Sequence, residues 1–203
     1  MSEVLPRRKE ASAIRRSAIL DAARTVFARQ GYDRTVVEDI AAQAGIGKGT
    51  LYLYFPSKEQ IYFAALVEDA RRLDTETREA MTGAANWREA IRAYVMVRMR
   101  YFDAHSDFLR IFVTEFRSMC IFGKPLNAEL FRLLEDGVAQ LAQVLAVAAA
   151  RQEIRPVDPE LAATTVADIT RGLMERRLRQ WGRPLASGDA DFAVDLLCRG
   201  LEP

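Results

Sequence analysis

The chain has 203 residues, of which half are hydrophobic and 28% are charged, with few glycines and prolines. This composition excludes a disordered or collagen-like chain and predicts a globular protein that buries a sizeable core. The charges are unevenly placed, because residues 1–58 carry ten Lys/Arg against six Asp/Glu while the remainder is net acidic. A basic segment followed by an acidic one is typical of a nucleic-acid-binding module joined to another domain.

Apolar residues recur at helical spacing from end to end, which predicts an all-α fold of about nine helices. The first helix is predicted from about Ser12 to Gln30, where Gly31 ends it. The second begins at Thr35, because Thr-Val-Val-Glu forms a capping box with Glu38, and it ends at Gly45.

The third helix is short, from about Gly47 to Tyr54, and Pro56 ends it by disfavouring helical geometry in the preceding residue. Ser57 caps a long fourth helix. Later helix starts are predicted at Asn86, Ser106, Pro125, Asp158 and Ser187. No flexible linker separates the short helices from the long ones, so the boundary is placed in the fourth helix, giving domains of residues 1–57 and 58–203.

The segment around the second and third helices has helix-turn-helix spacing. Ala41 is small enough for two helices to approach, Gly45 can adopt the positive φ of the turn, and Leu51 fills the core between them. The pattern predicts that the third helix is a DNA recognition helix.

The continuation from Gly45 to Lys58, Gly-Ile-Gly-Lys-Gly-Thr-Leu-Tyr-Leu-Tyr-Phe-Pro-Ser-Lys, closely resembles the signature of the tetracycline-repressor family of regulators. The resemblance covers residues 12–67, and beyond about residue 70 it is only to helix count and order. It implies a homodimer, a recognition helix at residues 47–54 that enters the major groove, and a C-terminal domain that binds a small molecule.

The resemblance also implies which residues contact DNA. Lys58 lies in the first turn of a helix, where a cation opposes the helix dipole, so an anionic partner rather than stability accounts for it. Tyr54 packing in the core and Lys48 as an ordinary solvated lysine are the alternatives at those positions. An N-terminal arm of Arg7, Arg8 and Lys9 is as compatible with a solvated tail as with a groove contact. The implied base-facing residues are Lys48, Gly49 and Thr50, and the implied phosphate contacts are Thr35, Tyr52, Tyr54 and Lys58.

Two positions depart from the family pattern. Gly47 replaces the usual serine cap of the recognition helix, and Glu38 stands where a basic residue is common. Either the capping box accounts for Glu38, or its carboxylate accepts a hydrogen bond from a cytosine amine. The operator sequence is therefore not transferable from the family.

Residues 87–131 are rich in aromatic and methionine side chains. In the family that this chain resembles, the ligand cavity lies among the corresponding helices, and such side chains suit an adaptable apolar pocket. His105 is predicted to cap a helix end or to be exposed rather than to bind a ligand. The candidate ligand contacts are Tyr94, Arg98, Phe102, Phe112 and Phe116.

The last two helices each carry an apolar face. The resemblance implies that they pair with their symmetry mates in a four-helix bundle, whereas intrachain packing is the alternative. The longest apolar run, Leu141 to Ala150, is too short to span a bilayer, so a soluble, cytoplasmic protein without membrane contact is predicted.

Together these features predict a DNA-binding transcriptional regulator, a repressor released from a palindromic double-stranded operator by a small apolar or amphipathic effector. A protein of the same fold without an effector is the alternative, and a thiol sensor using Cys120 or Cys198 is another. With one histidine, two isolated cysteines and no Gly-rich phosphate loop, the sequence contradicts an enzyme and implies no metal or cofactor.

Overall fold

A computed structural model describes residues 4–105, 128–179 and 188–203. Over these ranges the chain forms eight helices and no β-strand, which confirms the all-α prediction. The predicted starts at Ser106, Pro125 and Ser187 lie outside the described residues. The helices are α1 (Val4–Gln30), α2 (Val37–Gln43), α3 (Lys48–Tyr54), α4 (Lys58–Thr82), α5 (Trp87–Ala104), α6 (Ala128–Ala150), α7 (Pro159–Arg179) and α8 (Gly188–Leu201).

Three predicted helix starts are confirmed by the hydrogen bonds of their caps. The Ser57 hydroxyl accepts from the Gln60 amide at 3.2 Å at the start of α4. The Asn86 side chain accepts from the Glu89 amide at 3.0 Å at the start of α5, and Asp158 Oδ1 accepts from the first amides of α7. Each side chain satisfies a backbone donor that the helix itself leaves unpaired.

The first helix begins earlier than predicted, at Val4 rather than about Ser12. Pro6 does not prevent this, because proline is tolerated in the first turn, where its missing N–H has no helical acceptor. The predicted glycine stops are confirmed, since Gly31 has φ +80° and Gly45 has φ +67°.

The described residues form two compact units, one up to Asp69 and one from Ala70 onward, so the division falls within α4. In the first unit, α1 packs on α2 and α2 on α3, around side chains with no solvent exposure such as Phe27, Ile40 and Leu51. The functional division at residues 57 and 58 stays a prediction.

In the second unit, α5 packs against α6, α7 and α8. Its apolar face enters a core in which Ile91 and Val95 are wholly buried beside Leu141 and Leu145 of α6. No described helix is both long and apolar enough to cross a membrane.

Candidate functional site

The α2–α3 segment presents one face of a short helix to solvent. Leu51 is fully buried, and the Ile46 amide donates to the Ala41 carbonyl at 3.0 Å, which fixes the turn between the helices. Because Leu51 anchors one side of α3, the other sides remain available for contact. Of the predicted DNA-contacting residues on α3, Lys48, Gly49 and Tyr52 are exposed, and Thr50 and Tyr54 are partly buried.

Lys48 forms an ion pair across the turn with Glu38 of α2. The Lys48 ammonium also lies 5.8 Å from the centre of the Tyr52 ring. The hydrogen bond between the two charged groups lowers the pKa of Glu38 and raises the pKa of Lys48. Both side chains are 53% exposed, so the pair lies at the surface where the sequence places the DNA.

The capping box predicted for Thr35 and Glu38 is wrong. The N-cap of α2 is Val36, whose side chain makes no capping hydrogen bond. The Thr35 hydroxyl instead donates to the Gly31 carbonyl at 2.6 Å, and Glu38 pairs with Lys48. The hydroxyl lies against the carbonyl at the end of α1, and the helix starts one residue later than predicted, so Thr35 is not in the N-cap position that a capping box requires.

Burial also corrects the predicted phosphate contact of Thr35. This residue is only 1% exposed, and its hydroxyl is committed to the Gly31 carbonyl. The side chain therefore closes the turn between α1 and α2 and does not present an oxygen at the surface.

Lys58 contacts several groups of the protein itself, which its position in the sequence did not indicate. Its ammonium donates to the backbone carbonyls of Tyr32 at 2.8 Å, Thr35 at 3.0 Å and Asp33 at 3.3 Å. It also lies 4.4 Å from the centre of the Tyr32 ring. Because carbonyl oxygens and an aromatic face both attract a cation, the premise that stability gives no reason for a lysine here is wrong.

Two further residues at this surface were missed in the sequence. Tyr32 supplies both a carbonyl and a ring to Lys58, and its position directly after the helix-ending Gly31 is the signal available. Leu53 is 84% exposed on α3, and its position two residues after the buried Leu51, on the opposite side of the helix, is the signal available.

In the second unit, the described ligand candidates all lie on α5. Tyr94, Arg98 and Phe102 are buried, while Phe112 and Phe116 lie outside the described residues. The guanidinium of Arg98 packs on the Tyr94 ring, with its carbon 3.7 Å from the ring centre. The structure thus brings two of the predicted residues together in one buried polar cluster.

The cluster is extended by residues of α4 and α6. Arg98 Nη1 donates to the Thr77 hydroxyl at 2.9 Å, and a Cβ at Gly137 would overlap Arg98 Nη2. Asp74 bonds Arg78 through one carboxylate oxygen, while its other oxygen, Oδ1, is buried without a hydrogen-bond partner. Burial lowers the pKa of Arg98 and raises the pKa of Tyr94.

An apolar face of α7 and α8 is open to solvent in the single chain. Leu161 is 67% exposed, and Phe192 and Leu196 are exposed as well. Leu161 and Leu196 line one groove together with the small residues Ala162 and Thr165. Exposed apolar side chains grouped in this way are typical of an interaction surface.

His105 lies at the end of a helix, and Cys198 lies in the core. His105 is the C-cap of α5, as predicted, and its ring stacks on Tyr101 with centres 4.2 Å apart. Cys198 is buried in the core of the second unit, and burial raises the pKa of its thiol. A raised thiol pKa opposes formation of the reactive thiolate, which argues against a sensor at Cys198. Cys120 lies outside the described residues.

A helix-turn-helix whose second helix has a solvent-facing side defines a DNA-binding class of protein. The model for bacterial regulatory proteins of the tetR family matches residues 19–65. The N-terminal segment of the chain is therefore a DNA-binding domain of the kind found in this family of transcriptional regulators.

The curated relatives and solved structures agree with this assignment. The chain is 25% identical over 157 residues to an uncharacterized HTH-type transcriptional regulator, YhgD of Bacillus subtilis, covering 73% of this chain and 76% of that one. It is 40% identical over 76 residues to the transcriptional repressor KstR of Mycobacterium tuberculosis, covering 37% of this chain and about a third (34%) of KstR. The structure of FadR from Bacillus subtilis in complex with stearoyl-CoA has the same fold, with TM-score 0.75, 21% identity and coverage of 92% and 99%.

Proposed function

We propose that this protein is a homodimeric repressor that binds a palindromic operator and leaves it when an apolar or amphipathic effector binds its C-terminal domain. Residues 1–57 form the proposed DNA-binding domain and residues 58–203 the effector-binding and dimerisation domain. The observation that carries the proposal is the exposed face of α3, where Lys48 and Tyr52 are open to solvent while Leu51 is buried.

The proposed base contacts are those of Lys48, Gly49 and Thr50. A lysine ammonium donates to the N7 and O6 acceptors of guanine, and Gly49 adds no side chain that would hold the helix away from the groove. Exposed Leu53 adds an apolar group of the kind that contacts a thymine methyl. Replacement of Lys48 by alanine would relax base preference at one position in each half-site.

The proposed phosphate contacts are those of Tyr52, Tyr54 and Lys58. For Lys58 the contact requires the ammonium to exchange a carbonyl for a phosphate oxygen, since three carbonyls hold it in the free protein. Lys58→Ala should then lower the slope of log affinity against log salt by about one. A slope equal to that of wild type would leave Lys58 with its structural role alone.

The proposed effector site is the buried cluster around Arg98. A guanidinium has five N–H donors, and Thr77 is the acceptor bonded to it among the described residues. An amphipathic effector with an acceptor group would hydrogen-bond this guanidinium, and the aromatic residues of α5 would contact its apolar part. That the fold accommodates stearoyl-CoA in FadR supports an amphipathic ligand of this kind.

The proposed dimer forms through α7 and α8. Exposed Leu161, Phe192 and Leu196 would be buried against a second copy, and the groove at Ala162 and Thr165 would admit its side chains. A symmetric dimer explains a palindromic operator, because two recognition helices must meet major grooves separated by about 34 Å or a multiple of it.

The operator is tested by selecting duplexes from a random-sequence pool with wild-type protein. A palindromic consensus bound by a dimer is the expected result. The effector is tested by titrating stearoyl-CoA and lauric acid against the operator complex, where binding should lower operator affinity by a factor of about 5 to 150. If ligands that bind the protein leave operator affinity unchanged, the DNA-binding protein without an effector replaces the repressor proposed above.

A further inference from the structure

The ion pair between Glu38 and Lys48 has no evident role in the fold. Each side chain is 53% exposed, and exposed ion pairs contribute little to the free energy of unfolding. The capping box that would have justified Glu38 is absent, because Val36 is the N-cap of α2. A carboxylate at this place also repels DNA phosphates. With the capping box absent, a contact with a cytosine amine and an effect on Lys48 are the two reasons left for it, and the observed ion pair favours the second.

The geometry leaves Lys48 with donors to spare. Its ammonium has three N–H groups, of which one is engaged by Glu38. Lys58 differs, because three backbone carbonyls surround its ammonium. Lys48 is therefore held at a fixed place beside Tyr52 and still has two donors, the number that the O6 and N7 acceptors of one guanine require.

We propose that Glu38 is a positioning residue that makes Lys48 a reader of base edges and prevents it from acting as a mobile phosphate contact. The inference rests on the proposed operator binding. On the operator, Lys48 keeps its bond to Glu38 and donates its free N–H groups to a base. On other sequences the adjacent O6 and N7 acceptors of a guanine are missing at this position, and the paired ammonium remains neutralised by Glu38.

This role predicts opposite effects of Glu38 on the two kinds of DNA. A lysine free of its carboxylate partner would swing to the nearest phosphate, which every sequence offers, and would release a counterion there. Affinity for unrelated DNA would rise, while the operator would lose the fixed orientation of Lys48. Sequence discrimination would fall although the protein bound DNA more tightly overall.

The test measures binding to two duplexes, the one that wild type selects from a random pool and a scrambled version of it, between 50 and 200 mM salt. Four proteins form a double-mutant cycle: wild type, Glu38→Gln, Lys48→Gln and the double variant. Glutamine keeps the length and an acceptor oxygen of glutamate while removing its charge. Glu59→Gln is the matched control, because Glu59 is an exposed acid in the first turn of α4.

Glu38→Gln should increase the salt slope on the scrambled duplex by about 0.9 and reduce the ratio of selected to scrambled affinity about 10-fold. In the Lys48→Gln background the same replacement should change the slope much less, because no ammonium is left to be released. Glu59→Gln should raise affinity for both duplexes by one common factor.

Two results would overturn the inference while leaving operator binding intact. One is an equal effect of Glu38→Gln on both duplexes, and the other is an equal slope change with and without Lys48. Either would mean that Glu38 acts only as a negative charge near DNA. A wild-type protein that binds no duplex would remove the proposed function, and the positioning role with it.

Discussion

The α2–α3 surface and the buried cluster of the second unit hold their cations in opposite ways. Lys48 is 53% exposed and paired with an equally exposed Glu38, whereas Arg98 is only 8% exposed and bonds the wholly buried Thr77. Water solvates the remaining N–H groups of the first cation in the free protein, so they can exchange water for a DNA acceptor at little cost while the bond to Glu38 is kept. The second has no such alternative, and loss of its protein contacts is expensive.

This difference separates a cation proposed to bind DNA from a cation that, besides its proposed effector contact, holds the packing of the protein around it. A functional contact with DNA must be made and broken, which favours exposed, weakly held charges. A buried guanidinium specifies the packing around it because each neighbour must accommodate its size and charge. Replacements at both places test whether the exposed Lys48 and the buried Arg98 differ in this way.

The largest expected effect is that of Arg98→Ala. It removes the hydrogen bond to Thr77, empties the space beside the Tyr94 ring and removes the Arg98 charge near Asp74, whose carboxylate keeps its bond to Arg78. Loss of a buried charged group of this kind should lower the free energy of unfolding by about 3 to 5 kcal/mol. Urea denaturation followed by circular dichroism measures it. Arg100→Ala, an exposed arginine on the same helix, should be nearly neutral, and equal effects of the two would contradict the contrast.

Gly137→Ala tests the same cluster from α6. The added methyl group would overlap Arg98 Nη2, so the guanidinium must shift within a packed environment. We expect a loss of about 1 to 3 kcal/mol in the free energy of unfolding. In an Arg98→Ala background the obstacle is absent, and the added methyl should then cost much less. Additive effects of the two replacements in denaturation experiments would show that the overlap is relieved without strain.

Lys58→Met should have an intermediate effect, because Lys58 behaves more like the buried cluster than like Lys48. Methionine retains the apolar stem and removes the donor to three carbonyls. The free energy of unfolding should fall by about 1 to 2 kcal/mol, measured by urea denaturation without DNA. Lys48→Met is the matched control and should leave it almost unchanged. A smaller loss for Lys58→Met than for Lys48→Met would show that the carbonyl contacts of Lys58 do not stabilise the fold.

Local signals predicted much of the fold, since Ser57, Asn86 and Asp158 each cap a helix at the predicted place. Such caps depend on neighbours within three residues, which a sequence displays. The error at Thr35 arose between two local interpretations, whereas the error at Lys58 has another origin, because its partners come from a distant part of the chain.

Thr35 fits a capping box by its spacing to Glu38, yet its hydroxyl donates to the carbonyl of Gly31 and Val36 is the N-cap of α2. The acceptors of Lys58 lie 23 to 26 residues earlier in the chain. Likewise, nothing near Arg98 in the sequence indicates that Gly137 of α6 provides its space. The contacts of Lys58 and Arg98 arise only when distant parts of the chain are packed together.

The smallest expected effect concerns the titration of Glu38. Its hydrogen bond to the Lys48 ammonium lowers the pKa of the carboxyl below the ordinary glutamate value. The contribution of the ion pair to the free energy of unfolding is thus fully present above the ordinary glutamate pKa, and it is lost as the pH falls through the lowered pKa of Glu38. A carboxyl-detected NMR titration of wild type should give a midpoint below about 4.3, the usual glutamate value. Lys48→Met should move the midpoint back up, whereas Lys58→Met should not move it. An unshifted wild-type midpoint would mean that the exposed pair is too transient in solution to orient Lys48, and the contrast with Arg98 would then be between a free cation and a fixed one.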